Sequence, residues 1–526
     1  MRRAVVGGVG GLACVVLALG SAALGTSAPA ATVASRSVSA VEWKPCPTYS
    51  DEVIKSLGAP SEQIPQFRAQ LKRLECGTIS VPLDYRRPEG RKISIAFTRL
   101  KAVGTEHRLG ALAIAPGGPG GSGYLDPIAM TLRNKEIARL NDRYDLIGFD
   151  PRGVNYSTKT SCAGTPPPNA GPGPLTKASA KRIYEAQAAD NAACGRSDPA
   201  FLGQLTTANV ARDLDRVRAA LGERRFNILG FSWGTWLGAV YRSLFADRTG
   251  RVFLDSPAPP YTSFDEHDKG VAEATERNFA RMAAWLARYH ATYGLGATAQ
   301  QVRASVLKLR HDYDANPKTF TDLNRPIDGS SIAQLAGTTS PQWPQAGRAL
   351  AELRDATGSQ APPTVKKIFG AEPAKPVPGA PEMMNMTMNR ATICNEDQSR
   401  HGFSAAWAAY QQRLKRNPVT AFYFGAGCAG WPLPVQQTRV HRTGGSLVLS
   451  GHRYDIMSVY KWTLQMQAAI GGKVYTVDDD VHVSATRVPE CAADVVAYFT
   501  TGWIDHGCSG EKVPTPVDPQ QAGSRI

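Results

Sequence analysis

The sequence predicts an α/β protein built on a mostly parallel central sheet that a helical insertion interrupts. Three observations predict it. Short apolar runs rich in β-branched residues recur at positions 93–99, 111–115, 144–149, 226–229, 252–254, 446–449 and 473–477. Most of them end in Gly, Asp or Pro, as strands entering loops do. Between two of these runs, positions 208–221 carry Val210, Leu214, Val217 and Leu221, the period of an amphipathic helix lying on a sheet. From 261 to 438 the strand pattern disappears, and helix-like stretches at 271–293 and 299–313 take over.

Strand, helix, strand repetition calls for right-handed crossovers, and sheets of that kind take their ligands at the carboxyl ends of the strands. The 526 residues divide into a leader at 1–34, a first part of the core at 35–260, a helical cap at 261–438 and a second part of the core at 439–526. Such a chain is longer than one compact core usually occupies, so an insertion is expected. Positions 165–174 and 370–381 are rich in Pro and Gly and read as surface loops.

The leader combines Met1, Arg2 and Arg3 with an apolar run rich in Gly and Ala and then the small residues Ala28, Ala30 and Ala34. This is the pattern of a secretory signal peptide. A transmembrane anchor is the alternative, disfavoured by the Gly and Ser that interrupt the run. No later run reaches the roughly 18 apolar residues that a span requires. A secreted, extracellular monomer without stable membrane insertion is therefore expected.

Export changes how the cysteines read. Cys14 lies in the leader, and eight remain in four sequential couples: Cys46 with Cys76, Cys162 with Cys194, Cys394 with Cys428, and Cys491 with Cys508. An even number in an oxidising compartment predicts disulfides between neighbours. A metal centre needs thiolates clustered at a spacing of two to four residues, which none of these shows, and none is expected. The net charge is +15, but basic residues are scattered. That argues against a nucleic-acid partner.

The strongest chemical signal is Gly230-Phe231-Ser232-Trp233-Gly234, where an apolar run leads directly into a helix of small and apolar residues. In a nucleophile elbow of this form the serine sits on a strained turn, and the glycines let neighbouring backbones approach. The bland reading is an ordinary Gly-rich turn. A serine hydroxyl needs a histidine to accept its proton and a carboxylate to orient that histidine. The chain order Ser232, Asp455, His482 places acid and base after the last two predicted strands. Asp255 is the rival acid, His452 the rival base, and the aspartates at 478–480 read as a solvated turn. Upstream, Pro116-Gly117-Gly118-Pro119-Gly120-Gly121-Ser122-Gly123 offers unobstructed backbone amides. Gly118 and Trp233 are the expected donors to an oxyanion. A phosphate loop is the alternative, but the Gly-Lys-Ser/Thr signature is missing.

These motifs resemble those of the secreted bacterial tripeptidyl aminopeptidases, including the prolyl tri- and tetrapeptidyl aminopeptidases, which are α/β-hydrolase relatives of prolyl aminopeptidase. The carriers are the Gly117–Gly120 loop, Asp150-Pro151-Arg152-Gly153, the Ser232 pentapeptide, Cys394-Asn395-Glu396, Cys428-Ala429-Gly430-Trp431-Pro432, and His482 followed by Cys491. The resemblance covers nearly the whole mature chain. It implies an α/β-hydrolase fold with a helical cap, and a serine exopeptidase that releases tripeptides or tetrapeptides, with cleavage after proline among its members. The substrates are the free N-termini of peptides and proteins, and neither metal nor organic cofactor is implied. It also implies that the Cys394 region faces the active site, with Cys394 tied to Cys428. An enzyme of this kind must hold a protonated amine on a carboxylate. Glu396 and Asp397 are the candidates, against the bland reading of two surface acids. A secreted esterase or lipase on the same scaffold, and a catalytically inactive binding protein, are the alternative functions.

Overall fold

The computed structural model describes residues 40–162, 168, 171–372 and 375–516. The expected leader, Cys14 and parts of the two Pro/Gly-rich loops lie outside these residues. Ten strands form one sheet: β1 (Glu42–Lys44), β2 (Leu74–Pro82), β3 (Lys92–Leu100), β4 (Gly110–Ala115), β5 (Tyr144–Phe149), β6 (Phe226–Phe231), β7 (Thr249–Asp255), β8 (Leu447–His452), β9 (Lys473–Val477) and β10 (Gly507–Cys508). Their spatial order is β1-β2-β3-β5-β4-β6-β7-β8-β9-β10. The first four of that order pair antiparallel, and every pairing from β5 to β10 is parallel.

All seven expected strands are present. β1, β2 and β10 go beyond the sequence reading: β1 and β10 are very short, while β2 starts where the helix Ile64–Arg73 stops and contains Cys76-Gly77, which breaks the apolar run. The parallel strands β4 to β8 are largely buried on both faces, as their continuous apolar runs require, while β9 buries Tyr475 and Val477 and half-buries its other face. Along β4, Ala111, Ala113 and Ala115 face one core while Leu112 and Ile114 face the other, the alternation a pleated strand imposes. The alanine face leaves room for two helices. Thr207–Ala220 packs there through Val210, Leu214 and Val217, and Trp233–Leu244 through Leu237 and Val240. On the opposite face Phe253 and Tyr475 are fully buried. Each such side chain stabilises the fold by about 1.5–3 kcal/mol.

Arg152 fixes the first of these helices. Its guanidinium is fully buried and bidentate on Asp213, with both N–O distances 2.7 Å, and it also donates to the Leu83 carbonyl. This accounts for the arginine in Asp150-Pro151-Arg152-Gly153: only a planar fork matches a carboxylate in that way.

Between β7 and β8 the chain builds helices, among them Phe264–Arg288, Ala299–Ala315 and Trp343–Asp355, which share an apolar core separate from the two sheet faces. The helix Met386–Glu396 does not join that core. Its Met388, Ala391 and Cys394 pack with the sheet instead. Four disulfides join Cys46 to Cys76, Cys162 to Cys194, Cys394 to Cys428, and Cys491 to Cys508. Among the described residues no helix is long and apolar enough to cross a membrane.

Candidate active site

Ser232 lies at the junction of β6 and the helix Trp233–Leu244, with φ 54° and ψ −119°. A non-glycine residue held there stores strain that the surrounding packing must offset. The two glycines of the motif explain how the turn closes. A Cβ on Gly230 would meet the Gly234 carbonyl, and one on Gly234 would collide with the carbonyls of Ala115 and Pro116. Ser232 donates its backbone N–H to the Asp255 carbonyl at 3.0 Å, which ties the elbow to the end of β7.

The loop after β4 reaches the same edge. A Cβ on Gly117 would lie 3.5 Å from the Ser232 Cβ. Residues 383–389 clasp this loop from the other side. Asn385 N donates to Gly120 O (2.9 Å), Ser122 N to Met383 O (3.0 Å) and Asn389 Nδ2 to Pro119 O (2.8 Å). From below, Ser122 Oγ donates to Asp150 Oδ1 at 2.5 Å, and burial pushes the Asp150 carboxyl up to about 7. Among the described residues, the amides of Gly118 and Trp233 have no acceptor.

His482 follows β9 and Asp455 follows β8. Their side chains meet at Nδ1 and Oδ2, 2.7 Å apart. Asp455 is buried, and its Oδ1 accepts the amides of Met457 (2.7 Å) and Ser458 (3.1 Å). Burial alone would raise its carboxyl. The bond and charge of His482 and these amides outweigh that and hold it below the ordinary carboxylate range. The next residue, Val483, has φ 53° and donates its N–H to Ser256 Oγ at 3.0 Å. Ser256 directly follows Asp255, so the histidine loop is anchored one residue from the carbonyl that holds Ser232.

The rival acid and base are occupied with each other. His452 is fully buried, with Nε2 2.8 Å from Asp255 Oδ1 and Nδ1 2.7 Å from Asp479 Oδ1. Nor is 478–480 a solvated turn, which corrects the sequence reading. Asp478 is exposed and pairs with Arg453, but Asp479 and Asp480 are buried. Asp480 accepts from Asn278 Nδ2, Arg281 and Ser340 N and Oγ in the segment between β7 and β8.

Comparison with known proteins places the fold and the family. The model of the α/β hydrolase fold matches residues 110–346, and that of the TAP-like proteins matches residues 419–511. A tripeptidyl aminopeptidase of Streptomyces coelicolor is 31% identical over 480 residues, covering 85% of each chain. The chain belongs to the tripeptidyl aminopeptidase family. Serine protease Hip1 of Mycobacterium tuberculosis is likewise 31% identical over 494 residues, covering 88% of this chain and 89% of its own. Carboxylesterase B of the same species is 27% identical and covers 83% of this chain and 86% of its own.

In this tripeptidyl aminopeptidase homologue the two neighbouring acids of the Cys394 region differ sharply. Glu396 is buried with both oxygens engaged: Oε1 accepts Thr207 N (2.6 Å), and Oε2 accepts Trp236 Nε1 (2.9 Å) and Thr207 Oγ1 (3.1 Å). Burial raises its carboxyl above the ordinary value. Asp397 is also buried, but only Oδ1 is engaged, by Phe264 N and by Ser399 N and Oγ. Its Oδ2 has no hydrogen-bond partner among the described residues. Asp397 lines a cavity of about 290 Å³ together with Asn389, Arg390, Arg400 and Tyr423. Asn389 is the residue that clasps Pro119.

Sequence reasoning missed the structural pairing of Ser122 with Asp150 and the enclosure of His452. The second left no local signal, because Asp255, His452 and Asp479 are far apart in the chain.

Proposed function

We propose that this protein is a secreted serine exopeptidase that releases tripeptides or tetrapeptides, including products ending in proline, from free N-termini of peptides and proteins. The observation that carries this reading is the buried, unpartnered Oδ2 of Asp397, a residue that lines a cavity whose wall, Asn389, also binds the Gly118–Gly120 loop through Pro119 O. A buried carboxylate lacking half its partners is a ready receptor for a protonated amine. Glu396, with both oxygens engaged, serves as the strut beneath it. Three or four residues between amine and scissile bond extend by roughly 3.3 Å each, so anchor and nucleophile belong at opposite ends of one cleft. The fit to known tripeptidyl aminopeptidases and to serine protease Hip1 supports the same reading. The four disulfides support an oxidising destination.

In the proposed reaction His482 takes the proton of Ser232 Oγ as that oxygen attacks the carbonyl of the third or fourth residue. The amides of Gly118 and Trp233 stabilise the oxyanion. His482 then protonates the departing amine, leaving the short peptide esterified to Ser232, and water attacks that ester by the reverse proton path. Asp455 keeps the imidazole in the required tautomer throughout.

The testing experiment is mass spectrometry of products from matched peptides with free and acetylated N-termini. Wild type should release N-terminal tri- or tetrapeptides from the free series only. Ser232→Ala should release none. Asp397→Asn should lose most of the preference for free amines while Glu396→Gln keeps it. Equal turnover of acetylated peptides and simple esters by the wild type would instead establish an esterase, the reading that similarity to carboxylesterase B favours.

A further inference from the structure

One buried ionisable cluster has no part in the proposed proton path, yet it touches every loop that carries it. Asp255, His452 and Asp479 stand at the carboxyl ends of β7, β8 and β9 and form a chain of two hydrogen bonds, 2.8 and 2.7 Å, entirely out of solvent. Each member also holds a neighbour of the active site through its backbone. The Asp255 carbonyl takes Ser232 N (3.0 Å), the His452 carbonyl takes Asp455 N (3.3 Å), and the Asp479 carbonyl takes Tyr454 N (2.9 Å). Asp479 is further fixed by Ser484 Oγ at 2.6 Å, two residues past His482, and by Glu511 N at 2.8 Å.

The charges leave little choice of protonation state. Among the described residues, the only hydrogen bond to the Asp255 side chain comes from His452, and its Oδ2 has none. With a neutral imidazole only one ring nitrogen could donate, so one of the two buried carboxylates would lose its hydrogen bond to His452 and both would lose the positive charge between them, which is strongly destabilising. The other groups facing the cluster are few: Arg133 of the helix Asp126–Arg133 acts on Asp255, Tyr475 of β9 lies near Asp255, and Asp455 is itself pulled down by the His452 charge. Burial opposes a charge on His452, but Asp255 and Asp479 outweigh it and push the imidazole up to about 10.

We propose that His452 is a positioning residue: an imidazolium clamped between Asp255 and Asp479 locks together the loops bearing Ser232, Asp455 and His482, and its deprotonation releases them. The proposal rests on the reading of Ser232 as the nucleophile, and on nothing about substrate choice.

Two measurements on the full chain test it. In histidine-labelled wild-type protein, nitrogen-15 NMR should show one of the nine histidines still an imidazolium at pH 8.5; if every ring is neutral there, the proposal is wrong. The second measurement is the rate at which an organophosphonate labels Ser232 between pH 6 and 11. The wild-type rate should fall along an alkaline limb near pH 10, and Asp479→Asn should move that limb down by at least one pH unit. His452→Gln should slow labelling tenfold or more at pH 8 and remove the limb. A folded Asp479→Asn variant with the wild-type profile overturns the proposal, and if that variant does not fold, the NMR result decides. Ser232→Ala separates the two levels of failure: persistent labelling of that variant refutes the nucleophile, whereas an unlabelled Ser232→Ala beside an unshifted Asp479→Asn refutes the clamp alone.

Discussion

Asp455 holds His482 through one carboxylate oxygen, 2.7 Å from Nδ1, and through the other it takes the amides of Met457 and Ser458. All three bonds favour the ionised acid, so the side chain presents a fixed negative acceptor to the imidazole. An amide in its place would turn a donor toward Nδ1 and select the wrong tautomer. Asp455→Asn should therefore lower kcat by about 10⁴-fold with KM within a few-fold of wild type, the pattern of a group that acts on the transition state. Steady-state kinetics on a chromogenic tripeptide amide measures both.

The same carboxylate and the buried imidazole contribute stability at opposite ends of the pH range. Because Asp455 is depressed in the fold, its contribution is complete above the unfolded value of about 4 and declines as pH falls from there through the folded one. His452 is raised, so its contribution is complete below about 6.5 and declines as pH rises toward about 10. Thermal unfolding followed from pH 7 to 10 should show a falling midpoint in wild type and a flatter one in His452→Gln.

Arg152 and Asp213 carry a structural prediction. Arg152→Ala leaves an unpaired carboxylate fully out of solvent and should cost about 3–5 kcal/mol in urea denaturation. The double variant Arg152→Met with Asp213→Leu replaces the pair by apolar groups and should recover most of that loss.

Cys394 and Cys428 tie the end of the helix that leads into Asp397 to the segment of Trp431. Replacing both by alanine reopens a loop of 34 residues and should cost about 3–4 kcal/mol. Its kinetic effect should fall on KM for free-amine peptides more than on kcat if Asp397 is the amine anchor we propose, since that residue and not the nucleophile is loosened.

Much of the sheet was legible because β4 to β8 are largely buried on both faces, which forces continuous apolar runs that a reader can find. β2 was not, since an antiparallel strand nearer the edge tolerates Glu75, Gly77 and Ser80 within it. Ser232 was legible from its glycines, whose missing Cβ atoms the turn requires. The distinction between Glu396 and Asp397 was not, because it depends on Thr207 and Trp236 arriving from remote parts of the chain. For the same reason the run 478–480 misled: three identical side chains fall to a surface ion pair, a buried imidazole and a distant helix.

That last contact constrains how the molecule breathes. Asp480 has both oxygens taken by Asn278, Arg281 and Ser340, two residues before His482. Separating those partners from Asp480 would break all four of these contacts, the ion pair with Arg281 among them. While those contacts hold, the segment carrying Asn278, Arg281 and Ser340 stays fastened two residues from His482.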